Sequence, residues 1–172
     1  MAERAGVSVG SLYQYFPNKQ ALAAAVVDYY GAAFIERFAE AIAAMPGDSL
    51  AEVVDKLVDM AFDDHPQEPQ LHRILIGIAP RVGRAEHRRA LSVQVAGLIE
   101  DVLRQHRAAL AADLDPKDAA GMLEAVLETA AHRALEDHPA SIAPGRLAAQ
   151  CKRLIWSYLT QAETHSPSAS VW

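Results

Sequence analysis

MAERAGVSVGSLYQYFPNK, residues 1–19, is the stretch on which the reading of this chain turns. Ala2, Glu3, Arg4 and Ala5 are good helix formers. Gly6 is placed to take the left-handed conformation that ends a helix. Ser8 can cap a second helix by accepting a bond from a free backbone N–H. In that second helix Val9, Leu12 and Phe16 share one face, at i, i+3 and i+7. Pro17 stops it, and Asn18 can cap a third helix. Helix, glycine turn, helix is the helix-turn-helix pattern, whose second helix enters the DNA major groove.

The wording is more specific than the pattern. AERAGVS, then LYQYF, then Lys19 three residues past Phe16, then an apolar helix, resembles the DNA-binding motif of the TetR family of bacterial transcriptional regulators. In this reading Ser11 and Gln14 reach base edges, glutamine offering the paired donor and acceptor that suit adenine. Tyr13, Tyr15 and Lys19 hold phosphates, which fixes register without reading sequence. Ala5, Gly6, Leu12 and Phe16 form the core of the motif. The resemblance also implies a complete helix ahead of this point, so Met1 falls inside a helix. That motivates an alternative, a helical ligand-binding or dimerising protein that no longer binds DNA. The physical reason is that Leu12 and Phe16 lose part of their cover, at ~1.5–3 kcal/mol per large side chain.

The overall charge is not the balance of a nucleic-acid binder, but its distribution is compatible with DNA contact at the tip alone. The 172 residues carry a formal net charge of −6. The first 20 hold Arg4 and Lys19 against Glu3, a net +1, which leaves −7 on the remainder. A weakly basic tip on an acidic body neutralises few phosphates, so non-specific DNA affinity is expected to be low. Hydrophobic residues make up 51% of the chain, a globular balance. No apolar run reaches the roughly 18 residues of a membrane span, no signal segment opens the chain, and Cys151 is the sole cysteine. The chain reads as cytoplasmic.

Further along, Leu22, Val26, Tyr30, Phe34, Phe38 and Ile42 recur every four residues, predicting a helix from Asn18 to about Met45 that is roughly 40 Å long. Met45-Pro46-Gly47 ends it. Asp48 or Ser49 caps the next helix, Leu50 to Asp63. Residues 70–79, QLHRILIGIA, read as helix because no strand is available to pair with them. A helix is predicted from Ala85 to about Ala112, with Leu91, Val95, Leu98 and Val102 on one face. Asp115-Pro116 opens another, ending near His138, and Pro144 opens the last, to about Glu163. The fold class is all-α: a partial helix-turn-helix head with its connecting helix (residues 1–45), a helical effector-binding and dimerisation body (46–165) and a tail (166–172).

The body's expected roles are binding roles. Ala119, Met122, Val126, Ala130 and Ala134 form a small-residue stripe, and Leu154, Ile155, Trp156, Tyr158 and Leu159 leave hardly a polar face. A helix apolar nearly all round is buried on more than one side. Met122, Val126, Ala130, Ile155, Trp156 and Leu159 are therefore expected at a four-helix homodimer interface, whose two-fold symmetry suits a paired operator. The TetR resemblance implies an internal small-molecule pocket, with Phe62, His72, Leu75, Leu98 and Met122 as lining candidates. That mostly apolar set suggests an apolar or aromatic effector. The seven histidines form no metal-ligand set. No nucleophile elbow or phosphate-cradling glycine loop occurs, and Cys151 sits at an apolar helix position. No enzyme, cofactor or metal is expected. The partners are operator DNA, a second copy and an effector, and the mode is repression relieved by the ligand.

Overall fold

The computed structural model describes residues 14–45, 47–63, 85–135 and 144–161. These residues contain five α-helices and one 3-10 turn, and no strand. The helices are α1 (Lys19–Ala43), α2 (Leu50–Asp63), α3 (Ala85–Gln105), α4 (Pro116–Leu135) and α5 (Pro144–Thr160). The Ile-rich segment 70–79 and the tail lie outside the described residues.

Three of the described helix starts are capped by side chains. Asn18 Oδ1 accepts from the Ala21 amide at 2.8 Å, which caps α1. Ser49 and Glu52 form a reciprocal capping box on α2. The Ser49 amide donates to Glu52 Oε2 at 2.7 Å, and the Glu52 amide donates to Ser49 Oγ at 3.3 Å. Asp115 Oδ1 accepts from the amides of Lys117 (2.8 Å) and Asp118 (3.2 Å), and Pro116 then leads α4 with a nitrogen that has nothing to donate. Between α1 and α2 the chain turns at Gly47, whose φ of 99° lies in the left-handed region that suits glycine.

Two compact units result. The described part of the first is residues 14–37 and 85–92, and that of the second is 38–45, 47–63, 93–135 and 144–161. In the first unit α1 and α3 approach closely at Gly31. A Cβ there would lie 2.8 Å from Leu91 Cδ1 and 3.0 Å from His87 Nε2. His87 Nδ1 also stands 3.7 Å from Asp28 Oδ1.

The second unit is a packed three-helix core of α2, α4 and α5, with the C-terminal part of α3 also buried. Leu50, Val53, Val54, Leu57 and Val58 form the buried stripe of α2, at i, i+3, i+4, i+7 and i+8. Ala119, Ala120, Leu123, Leu127 and Ala130 are buried on α4, and Cys151, Ile155 and Leu159 on α5. Small residues on α4 let helix axes come close; the large side chains supply ~1.5–3 kcal/mol each on burial. Lys152 holds α5 to α2 at the surface, reaching Asp59 at 2.8 Å and Asp55 at 3.2 Å.

The structure corrects the sequence reading at α3. The helix stops at Gln105, not Ala112, and a 3-10 turn, Arg107–Ala109, follows. Leu110 is extended (φ −81°, ψ 155°), and the Ala111 amide donates to the Leu159 carbonyl at 2.8 Å. A continued helix would have spent that amide internally, so the turn is set by a bond to α5. Arg107 steadies the new direction by donating to the carbonyls of Ala111 and Ala112 at 3.1 and 2.7 Å. The buried residues of α3 are Ile99, Val102 and Leu103; of the predicted face only Val102 is among them, while Leu91, Val95 and Leu98 are half-buried. The last helix ends at Thr160, ahead of the expected Glu163.

Candidate nucleic-acid interface

The described part of the motif begins at Gln14. Gln14 and Tyr15 are helical, Phe16 leaves the helix, and Pro17-Asn18 bends the chain into α1. Proline cannot extend the first helix, and Asn18 caps the second, so two residues set the corner. Gln14, Tyr15 and Lys19 are exposed, with Tyr15 at 80%. Phe16 is half-buried. Ser11, Tyr13, Ala5, Gly6 and Leu12 lie outside the described residues.

The helix starts fall into two electrostatic groups: α1 and α5 carry no acid in the first turn, and the other three do. The first turns of α2, α3 and α4 carry Glu52, Glu86 and Asp118, acids that complement the positive end of a helix. The first turn of α1 carries no acid and has Lys19 instead. The amino end of α1, capped by Asn18, stands beside the exposed Lys19 and Tyr15.

The body residues separate by exposure. Phe62 and Leu98 are half-buried, while His72 and Leu75 lie outside the described residues. Met122 is 51% exposed, which fits a surface role and not the lining of an internal cavity. Ala130, Ile155 and Leu159 are buried within the chain itself, Ile155 at 1% and Leu159 at 0%. Val126 is half-buried, and Trp156 is 43% exposed. Of the six residues expected at an interface, Met122, Val126 and Trp156 therefore retain outward surface. Leu154, at 54%, adds to it. Cys151 is buried, and desolvation pushes its thiol above the ordinary range, away from the reactive thiolate.

Residues 49–159, more than half of the chain, match the family model described as "Tetracyclin repressor-like, C-terminal domain". Residues 1–26 match the model "Bacterial regulatory proteins, tetR family". The chain belongs to the TetR family. It is a TetR-family transcriptional regulator with a helix-turn-helix DNA-binding segment, and TetR regulators are non-enzymatic. No curated protein matches the chain. In TetR terms, the C-terminal match begins at the α2 capping box and ends at Leu159, so its bounds coincide with the three-helix core. No described helix is long and apolar enough to cross a membrane.

Proposed function

We propose that this regulator is a homodimeric repressor that binds operator DNA and is released by a small apolar or aromatic ligand. The observation that carries the DNA part is the exposed set Gln14, Tyr15 and Lys19 at an acid-free helix start. Gln14 reads a base edge, with Ser11 three residues before it in sequence; Tyr13, Tyr15 and Lys19 clamp phosphates. Residues 1–45 serve as head and connecting helix, 46–165 as the effector and dimer body, and 166–172 as a tail.

The dimer surface is centred on Met122, Val126, Leu154 and Trp156, with Ala130, Ile155 and Leu159 behind them as rigid backing. Three exposed large apolar residues on a pair of packed helices support this reading. Phe62 and Leu98 remain lining candidates for the effector pocket, together with His72 and Leu75. Release follows from coupling: a ligand that favours one body conformation changes the spacing of the two recognition helices.

A gel shift against DNA flanking the protein's own gene tests the reading. Binding at low salt, weakened strongly by Tyr15→Ala, is expected. Absence of any shift by the wild-type protein at low salt rejects the DNA function, and equal shifts by wild type and Tyr15→Ala reject the assigned surface.

A further inference from the structure

His106 follows the last residue of α3, with backbone φ −101° and ψ 18°. Its ring Nδ1 lies 2.9 Å from the carbonyl oxygen of Val102, one turn back in the helix. Its Nε2 lies 2.9 Å from the carbonyl oxygen of Asp48, 58 residues earlier, in the loop between α1 and α2. A carbonyl oxygen can only accept. A neutral imidazole has one N–H and one lone pair, so it can serve only one of these oxygens and would turn its lone pair on the other. The geometry is that of an imidazolium donating twice.

We propose that His106 is a proton-dependent clamp: charged, it ties the α1–α2 loop to the carboxyl end of α3, and on losing a proton it lets go of one side. The position favours charge, because the last carbonyls of a helix form its negative end. The charged groups around it agree. Asp48, on the clamped loop, adds attraction, although its carboxylate is shared with Lys56 of α2 at 2.6 Å. Glu52 of α2 is turned to Ser49. On the α3 side, Arg104 pairs with Glu100, and Arg107 is turned to the carbonyls of Ala111 and Ala112. No cation is thereby directed at the ring by these contacts. The bonds to the Asp48 and Val102 carbonyls raise the affinity of His106 for its proton above that of ordinary imidazole, against a smaller opposing effect of burial.

The sign follows from linkage. A group that binds its proton more tightly when folded adds stability that is complete below its unfolded pKa. That stability is lost as pH rises through the folded value. The fold should therefore loosen at this joint as pH rises above the ordinary imidazole range. The joint holds the loop that follows α1, so proton loss removes one of the two bonds by which His106 ties that loop to α3. The proposal concerns this anchorage alone and does not depend on the DNA reading.

The test is a titration of the full-length 15N-labelled protein between about pH 5.5 and 9, bracketing ordinary imidazole. The His106 ring is assigned by through-bond correlation to its backbone and by its loss in His106→Gln. Both ring nitrogens should carry hydrogen to a higher pH than in free imidazole. Urea midpoints of wild type and His106→Gln should differ more at about pH 6 than at about pH 8.5. Titration of His106 at or below the free-imidazole value overturns the proposal, as does a wild-type-to-variant gap that is the same at both pH values. If His106→Gln fails to fold, the wild-type titration alone decides.

Discussion

Leu159 and Trp156 stand three positions apart on α5 and have opposite surroundings: one is fully buried, the other 43% exposed. Leu159→Ala should cost ~2–5 kcal/mol, because the three-helix core can only partly collapse onto the void. Urea denaturation reads this as a lowered midpoint. Trp156→Glu removes little packing within the chain and should leave the circular dichroism spectrum in place while shifting the protein toward monomer by sedimentation. An unchanged dimer would remove Trp156 from the interface. Gly31 gives a third single-residue case. Gly31→Ala gains about 1 kcal/mol of helix propensity and needs the side-chain ends of Leu91 and His87 to move aside, so its stability should stay within about 1 kcal/mol of wild type. Gly31→Leu must push α1 from α3 and should destabilise by ~1–3 kcal/mol, again read by denaturation.

At the level of the element, helix starts were open to inspection in the sequence. Asn18 and Asp115 with Pro116 cap the helices they were expected to cap, and of the two candidates Asp48 and Ser49 it is Ser49, paired with Glu52, that caps α2, because capping depends on neighbours within three residues. The same bonds create acid sensitivity. Backbone amides of Asp118 and Lys117 hold the Asp115 carboxyl below its usual range, and the Ser49 amide and hydroxyl do the same for Glu52. A depressed folded value contributes stability that is present above the ordinary carboxylate range and is lost as pH falls through the depressed value. Asp115→Ala should accordingly lower the melting temperature at neutral pH and narrow that difference in acid, as seen by calorimetry at about pH 7 and about pH 2.5. Helix ends were less legible. Nothing local in RQHRAALAA announces that α3 stops at Gln105. The stop depends on the bond from Ala111 to Leu159 and on the His106 contact with Asp48, partners about 50 or more residues away.

For the whole molecule, charge sets how DNA is met. With a net −6 and few cations at the motif, the number of phosphates neutralised is small, so the slope of log affinity against log salt should be shallow. Lys19→Ala should reduce that slope by about 1 and weaken all sequences alike, whereas Gln14→Ala should change which operators are preferred. Fluorescence anisotropy over a salt series separates the two.

The sequence by itself determined the family, the all-helical class, the helix starts and the identity of the exposed corner Gln14-Tyr15-Lys19. Motif wording, capping and 3.6-residue periodicity are local properties and survive without a fold. Tertiary structure decided which face of each apolar helix turns inward. On α5, an almost wholly apolar run gives no internal preference, and packing against α2 and α4 buries Cys151, Ile155 and Leu159 while leaving Leu154 and Trp156 in solvent. It also decided where α3 ends and that both ring nitrogens of His106 face carbonyl oxygens, since those outcomes depend on groups that only folding brings within 3 Å.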